Sequence, residues 1–242
     1  MTFDYRGIAE SRPARLRGFK AAAEDWAEFD CGGALAYMRS RYPGAKLVCI
    51  AHSIGTFLIG GAPNVGEVAQ FIFRGAHTGY YGDYRPIHRL PMAFLWHSVM
   101  PTLTRVFGYF PARLLGLGED IPRDIALQWA ARKTSELRPE ATNHNAERAR
   151  RMLARYAKVC VPTNTISFSD DAFATVAGCT RLLSLYPRIS AHREVIFPEA
   201  AGLASIGHFG FFRRVSRGRL WPLAVSYLNL SKPIAESNTP RS

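Results

Sequence analysis

The most constraining stretch of this sequence lies at residues 46–61, where an apolar run leads into Ser53 and a second apolar run leaves it. Leu47–Ala51 has the composition of a buried strand, and Ile54–Ile59 has the spacing of a helix. Small residues stand two positions on either side of the serine, Ala51 before it and Gly55 after it. A strand, a tight turn and a helix around a serine form the setting in which such a pattern indicates a nucleophile. The pattern predicts Ser53 as a nucleophile and the backbone N–H of Ile54 as an oxyanion donor. The alternative is that small-x-Ser-x-Gly has arisen by chance in an ordinary strand-to-helix turn.

Elsewhere in the chain, strand-like and helical patterns alternate. Alternation of this kind predicts the α/β class, with a mostly parallel sheet flanked by helices. A short strand-like piece is also expected from residue 3, ending at Gly7. The predicted strands of the sheet are residues 47–51, 68–73, 165–168 and 193–197. The predicted helices are residues 18–42, 54–59, 121–134, 147–156, 174–186 and 220–230.

Residues 80–145 differ from the rest because they are rich in aromatic residues, proline and methionine. The segment is too long for a plain connection, which predicts a helical cap or lid over the strand edge. An ordinary helical layer of the core fits the same composition. The predicted core is then 1–79 together with 146–230, and the polar residues 231–242 are expected to be a disordered tail.

Composition limits the possible partners. The formal net charge is +12, but the arginines are scattered, and the densest cluster is Arg213, Arg214, Arg217 and Arg219. Scattered cations indicate a solvated surface, so we expect no nucleic-acid partner. No apolar run approaches the roughly 20 residues of a membrane-spanning helix, and the first residues have no signal-peptide character, which predicts a cytoplasmic protein. The four cysteines lack metal-type spacing, so we expect no metal site and no cofactor. The oligomeric state is not predicted.

Three chemically matched residue types follow predicted strands in chain order: Ser53, then Asp170 or Asp171, then His208. Loops at the carboxyl ends of parallel strands meet at one edge of the sheet. A serine hydroxyl needs an imidazole to accept its proton, and the imidazole needs a carboxylate to fix its tautomer. The order therefore predicts a catalytic triad.

Three other histidines and one of the two aspartates can be explained without a catalytic role. His52, His77 and His97 are expected to be structural, with His52 pointing away from the pocket. Asp170 fits equally well as a cap of the following helix.

With these pieces in place, the chain resembles the α/β-hydrolase superfamily, and within it a bacterial group of predicted α/β hydrolases. The resemblance covers about residues 3–230. It implies Ser53 as nucleophile, His208 as general base and a strand-end aspartate that orients the base. Thr175, four positions after Asp171, matches the small residue usual there, which favours Asp171 and leaves Asp170 possible. The matching segments are 4–8 with Ser11, 51–55, 107–111, 167–171 and 206–212.

One departure from the resemblance concerns the beginning of the chain. Relatives carry a further strand and a His-Gly loop that supplies an oxyanion N–H, and neither is found here. We expect either a truncated or mis-started chain, or first residues that rearrange to cover the gap.

These features predict a serine hydrolase of esterase or lipase type, acting on a small acyl substrate with an apolar part. One alternative is a catalytically impaired binding protein with the same fold. Another is an acyltransferase that uses the same triad.

Overall fold

The computed structural model describes residues 1–132 and 146–229, which fold into a parallel sheet with helices packed against it. The four strands of the main sheet are β1 (Leu47–His52), β2 (Val68–Arg74), β5 (Thr163–Phe168) and β6 (Ala191–Ile196). Two short strands, β3 (Tyr109–Phe110) and β4 (Ile121–Pro122), form a separate antiparallel pair. The α-helices are α1 (Ala23–Asp25), α2 (Gly32–Arg41), α3 (Ile54–Leu58), α4 (Pro86–Phe94), α5 (Met100–Phe107), α6 (Arg123–Ala130), α7 (Ala146–Tyr156), α8 (Val176–Leu183) and α9 (Trp221–Asn229).

The main sheet is parallel throughout, in the order β1-β2-β5-β6. The register aligns Ala51 of β1 with Phe73 of β2, and Phe73 with Thr165 of β5. All four predicted sheet strands are present within a few residues of their expected bounds, which confirms the predicted α/β class. The carboxyl ends of β1, β2 and β5 therefore lie side by side.

Both faces of the sheet are covered around β2, which explains its nearly continuous apolar sequence. Phe71 and Phe73 point to one face and pack with the helices after β1 and β5 in the larger core cluster. Ile72 points to the other face, where Leu220 and Tyr227 of the C-terminal segment cover it. This burial makes β2 and its end a rigid base for the residues that follow.

The prediction of a strand from residue 3 is wrong. Residues 1–8 are irregular and lead into a short 3-10 turn, Ala9–Ser11. The segment is fixed by side chains and not by a strand ladder. The Tyr5 ring stacks on Trp26 with 4.9 Å between centroids, and Trp26 Nε1 donates to the carbonyl of Arg6.

The helix predicted over 18–42 begins later, at Ala23, and contains a π-helical stretch, Trp26–Cys31, before α2. Its first turn is capped because the Asp25 carboxylate accepts from the N–H of Ala22 at 2.8 Å. Gly32 follows the π-helical stretch, and a Cβ there would lie 3.0 Å from Pro63, so this glycine permits close packing.

Residues 80–132 form helices α4, α5 and α6 together with the β3–β4 pair. The helix predicted over 121–134 starts at Arg123, because Ile121 and Pro122 pair with the other short strand. The remainder of that helix, residues 133–145 of the predicted cap and the predicted tail 231–242 lie outside the described residues. That 80–145 acts as a cap stays a prediction.

Within the described ranges, none of the helices combines the length and the hydrophobicity required to cross a bilayer. All four cysteines are free thiols, and Cys160 is the exposed one.

Candidate active site

Ser53 lies in a strained turn between β1 and α3. Its backbone has φ 53° and ψ −125°, a conformation that costs a non-glycine residue about 1–3 kcal/mol. The turn is held by its neighbours, because Ser53 N donates to the carbonyl of Arg74 and Thr56 N donates to the carbonyl of Ser53, both at 3.0 Å. A Cβ on Gly55 would lie 3.3 Å from the Tyr5 hydroxyl, so the small residue predicted after the serine has a steric reason.

The structure brings Ser53, His208 and Asp171 together from three separate loops. His208 Nε2 lies 2.9 Å from Ser53 Oγ, and His208 Nδ1 lies 2.9 Å and 3.1 Å from the two carboxylate oxygens of Asp171. Since the carboxylate only accepts, Nδ1 carries the proton and Nε2 presents a lone pair to the hydroxyl. The hydroxyl therefore donates to an imidazole that is already in the tautomer needed to accept its proton.

Asp171 is a fully buried carboxylate with an unusually complete set of partners. One oxygen accepts from the backbone N–H groups of Phe173 and Ala174, both at 2.9 Å, and the other accepts from Arg74 Nη1 at 2.9 Å. Burial raises the pKa of Asp171, but His208, the N–H of Ala174 and the Arg74 cation together hold that pKa well below its usual range. Asp171 is thus a fixed negative charge behind the imidazole.

Arg74, the last residue of β2, is a contact of Asp171 that the sequence analysis did not predict. Its side chain is buried between the Asp171 carboxylate and the Phe168 ring, with its guanidinium carbon 4.2 Å from the ring centroid. Burial lowers the pKa of Arg74, and the charge of Asp171 opposes that effect. An arginine that ends an otherwise apolar buried run is the signal that could have revealed a buried ion pair.

Asp170 has a different position from its neighbour. Its Oδ2 accepts from the backbone N–H groups of Ile206 and Gly207 at 2.7 Å and 3.0 Å. Arg74 Nη2 donates to the carbonyl of Gly207 at 2.5 Å, and His52 Nε2 donates to the carbonyl of His208 at 3.0 Å. Of the two aspartates left open by the sequence, Asp171 contacts the imidazole and Asp170 fixes the loop that carries it.

His77 was expected to be structural, but its Nε2 lies 3.1 Å from Ser53 Oγ. The N–H of Gly79 donates to His77 Nδ1 at 3.0 Å, so Nδ1 has the lone pair. Burial, with the charges of His208 and Arg132, lowers the pKa of His77 to about 3, which keeps the ring neutral. A neutral ring with an acceptor at Nδ1 carries its proton on Nε2, so His77 donates to the serine hydroxyl. No sequence pattern indicates this contact, which depends on how the loop after β2 folds.

The other two histidines that were expected to be structural, His52 and His97, form hydrogen bonds with backbone carbonyl groups. His52, beside the serine in sequence, is not part of the cavity wall and packs 4.7 Å from the His208 ring, centroid to centroid. Burial is the main cause that lowers its pKa to about 3. His97 Nδ1 lies 2.8 Å from the carbonyl of Ala130.

The backbone N–H of Ile54 is the remaining predicted group. Ile54 is the first residue of α3 and lines the same cavity as Ser53. The first N–H groups of a helix have no intrahelical acceptor. Within residues 1–132 and 146–229, this N–H has no hydrogen-bond partner. It is therefore available to an anionic oxygen beside Ser53.

A cavity of about 870 Å³ opens beside Ser53 and His208. Its volume is within the range of small-molecule sites, and its wall is mostly apolar. The N-terminal segment contributes Tyr5 and Ile8, and the 80–132 region contributes much of the rest. The Tyr, Trp and Phe residues of the wall are Tyr5, Trp26, Trp96, Phe110, Trp129, Phe173 and Phe209. Within the two described ranges no group of three or more His, Cys, Asp or Glu side chains is placed to hold a metal ion.

Taken together, these features define an α/β-hydrolase fold. A serine in a strained strand-to-helix turn, an acid after a later strand and a histidine after the last strand follow the chain order of that fold. The parallel sheet places all three loops at its carboxyl edge. The fold that the sequence resemblance implied is confirmed.

The chain matches no protein-family model and no curated protein. It is similar to several solved structures. A hydrolase from Oleispira antarctica is 11% identical, with 94% of this chain and 80% of that chain covered and a TM-score of 0.49. A monoacylglycerol lipase from Paleococcus ferrophilus is 12% identical (93% and 81% covered, TM-score 0.47), and a putative non-heme bromoperoxidase from Mycobacterium tuberculosis is 17% identical (94% and 80% covered, TM-score 0.46). Similarity of this degree says nothing about the reaction of the present chain.

Proposed function

We propose that this protein is a serine hydrolase that cleaves an ester or a related acyl bond through Ser53, His208 and Asp171. The observation that supports this most directly is the unbroken hydrogen-bonded relay from the Asp171 carboxylate through His208 to Ser53 Oγ. Serine is a weak nucleophile alone, and a positioned base together with a fixed carboxylate is the arrangement that activates it.

In the proposed reaction, Ser53 Oγ attacks the substrate carbonyl while His208 Nε2 takes the hydroxyl proton. The buried Asp171 charge stabilises the imidazolium that forms. As the tetrahedral intermediate collapses, the bond to the alcohol breaks and His208 returns the proton to the departing oxygen. A water molecule, deprotonated by the same imidazole, then releases the acyl group and restores Ser53.

Two N–H groups have separate roles in this reaction. Ile54, whose N–H has no partner among the described residues, lines the cavity beside the serine, and this N–H would bind the carbonyl oxygen as it becomes anionic. The Nε2–H of His77 donates to Ser53 Oγ and orients that oxygen for attack on the carbonyl carbon. Because the His77 ring stays neutral, it adds no positive charge beside the imidazolium that forms on His208.

The cavity favours substrates with an apolar part. Aromatic rings from three regions of the chain surround the space next to Ser53. Burying such a substrate part contributes roughly 25 cal/mol per Å² of apolar surface.

The proposal is tested with a fluorophosphonate probe, which reacts with activated serines. Wild-type protein is expected to be labelled at one residue, and Ser53→Ala to lose all labelling. Ser226→Ala, an exposed serine on α9, is the matched control and should label like wild type. His208→Gln should slow labelling and p-nitrophenyl butyrate hydrolysis by more than about a thousandfold.

Absence of labelling in a folded wild-type protein, checked by circular dichroism, would contradict an activated Ser53. Labelling without ester turnover would contradict hydrolysis and leave acyl binding or acyl transfer. Mass spectrometry of the products in the presence of alcohols separates transfer to an acceptor from transfer to water.

A further inference from the structure

We propose that Arg132 is a carboxylate-binding residue in the wall of the active-site cavity, so that the preferred substrate is an ester whose apolar body carries a carboxylate. This inference rests on the proposed hydrolase function and specifies its substrate class. It depends on a cation that faces an apolar cavity without an acidic partner among the described residues.

The position of the Arg132 guanidinium is fixed by two contacts beside the proposed nucleophile. Its Nη1 donates to the carbonyl of Thr78, the residue after His77. Its guanidinium carbon lies 4.6 Å from the centroid of the Phe57 ring, on the helix that begins just after Ser53. Stacking on a buried ring and bonding to a carbonyl orient the guanidinium and leave further N–H donors free. Arg132 is therefore a pre-oriented donor in the wall of the cavity that Ser53 and His208 also line.

Arg132 forms no ion pair with a carboxylate in residues 1–132 or 146–229. Glu24 is near enough to raise the pKa of Arg132, but it forms no ion pair with it, and its own Oε2 accepts from Gln128 at 2.9 Å. Burial is the larger influence and lowers the pKa of Arg132 to about 10, so the group remains cationic at neutral pH. A half-buried cation without an ion-pair partner is costly in a mostly apolar wall, and a bound carboxylate lowers that cost while forming a charge-assisted bond.

One acid, Glu119, lines the same cavity, and its charge is compensated. It is exposed to solvent and forms an ion pair with Arg113. Among the described residues of the cavity wall, Arg132 is therefore the charged side chain without an ion-pair partner. The remaining wall is mostly apolar, which suits the body of an acyl chain and not a second charged group.

The test compares charged and neutral esters of matched size. Mono-p-nitrophenyl glutarate and adipate carry a carboxylate on the acyl part, and p-nitrophenyl valerate and hexanoate are their neutral counterparts. A second pair, 4-butyryloxybenzoate and its methyl ester, places the carboxylate on the leaving group. Rates with Ser53→Ala are subtracted, because hemiesters also hydrolyse without enzyme.

Wild type is expected to show a higher kcat/KM for the charged member of at least one pair. Arg132→Gln should lower kcat/KM for that ester by about 10- to 100-fold, the usual size of a hydrogen bond to a charged group. The ratio of kcat/KM for that ester to kcat/KM for its neutral counterpart should fall by the same factor, which separates the loss of carboxylate binding from any general loss of activity. Arg132→Lys, which keeps the charge, should recover part of the loss. Arg105→Gln, an exposed arginine on α5, removes the same charge elsewhere and should have no effect.

Equal kcat/KM for charged and neutral esters, or a charge preference that persists in Arg132→Gln, would overturn the assignment of Arg132 and leave the hydrolase proposal intact. Failure of all esters together with absent Ser53 labelling would instead overturn the hydrolase proposal. As a readout independent of turnover, calorimetry with Ser53→Ala should detect glutarate monoester binding that Arg132→Gln removes.

Discussion

The imidazoles of His208 and His77 both contact Ser53 Oγ. Their other hydrogen-bond partners make one ring an acceptor and the other a donor toward that oxygen. His208 has a carboxylate at Nδ1, so its Nε2 accepts from Ser53 Oγ. His77 has a backbone N–H at Nδ1, so its Nε2 donates to the same atom. The atom that faces away from the serine thus determines whether each ring takes a proton or gives a hydrogen bond.

Replacing His77 should separate these roles. His77→Leu removes the donor, and we expect kcat to fall by about tenfold or more, because the Ser53 oxygen is then no longer held in position for attack. His77→Gln retains a terminal N–H and should recover part of that loss. KM should change little in either variant, because the donor acts on the oxygen of Ser53. Steady-state kinetics with p-nitrophenyl butyrate measures both constants.

His97→Gln is the matched control, since the one hydrogen bond of that ring among the described residues is with the backbone carbonyl of Ala130. Equal kcat values for His77→Leu, His97→Gln and wild type would exclude a role for His77 in the reaction.

Arg74→Met tests the buried ion pair of Arg74 and Asp171 behind the proposed triad. Removing the cation leaves the Asp171 carboxylate buried without its positive partner, and losing one member of such a pair costs about 3–5 kcal/mol in the free energy of unfolding. The pKa of Asp171 should rise at the same time. Urea unfolding at pH 7 measures the first effect, and an NMR titration of the Asp171 carboxyl carbon measures the second.

Arg151→Met breaks an exposed ion pair on α7 and should change the free energy of unfolding by less than about 1 kcal/mol. A similar loss in both variants would contradict a special contribution from the pair of Arg74 and Asp171.

At the residue scale, the sequence predicts a site residue when the local pattern around that residue indicates its role. Ser53 lies between small residues, and Asp171 and His208 follow strands, so their convergence follows from strand order alone. Arg74 and His77 also follow a strand, but their contacts depend on which side chains meet across the sheet edge. The spacing of residues along the sequence does not predict these side-chain contacts.

At the scale of elements, α3 is too short to be stable alone. It has five residues, and its last carbonyl groups lack partners within the helix. Tyr186 donates its hydroxyl to the carbonyl of Thr56 at 2.8 Å, and Tyr156 donates to that of Phe57. Two tyrosines from distant parts of the chain therefore fix the helix that presents Ser53 and Ile54.

Gly60, just beyond α3, allows these tyrosines to approach. A Cβ at Gly60 would lie 2.6 Å from Tyr156 Cε1, so Gly60→Ala should destabilise the protein by about 1–3 kcal/mol through overpacking. Gly33→Ala is the control, because Gly33 is helical and has open space around it. That variant should be neutral or stabilise by up to about 1 kcal/mol. Thermal unfolding of both variants measures the difference, and equal melting temperatures would contradict the packing argument.

β1 and β2 are the strands predicted most accurately, each to within one residue, because both are apolar runs of strand length. β5 begins two residues before its predicted start, because Thr163 and Asn164 do not look like strand residues of a core although β5 is almost wholly buried. The strand expected from residue 3 is absent because Tyr5 and Arg6 bind to the helix side chains Trp26 and Asp30 instead. Pattern alone does not distinguish an apolar segment that pairs with a strand from one that packs on a helix.

At the scale of the whole molecule, the buried histidines link folding to pH. His52 and His77 have pKa values near 3 in the folded protein, mainly because of burial, against about 6.5 in an unfolded chain. Below pH 6.5 the unfolded state therefore binds protons that the folded state does not. Their contribution to stability is complete above pH 6.5 and is lost as the pH falls towards 3.

We expect the free energy of unfolding to fall by about 1 kcal/mol per pH unit for each of these histidines between pH 6 and pH 4. Urea titrations at several pH values measure the slope. His52→Gln should flatten it, and His192→Gln, at an exposed position, should not. An unchanged slope in His52→Gln would contradict the assignment of a buried neutral ring.

The proposed triad joins parts of the chain that are made at very different times. Ser53 and His208 are 155 positions apart, and Arg74 and Asp171 are 97 apart. On a ribosome the hydroxyl emerges early, whereas the imidazole and the helix that packs behind its loop emerge late. A nascent chain that does not yet include His208 therefore carries Ser53 without its proposed base, and the proposed relay can form only after the segment from Asp171 to His208 has been made.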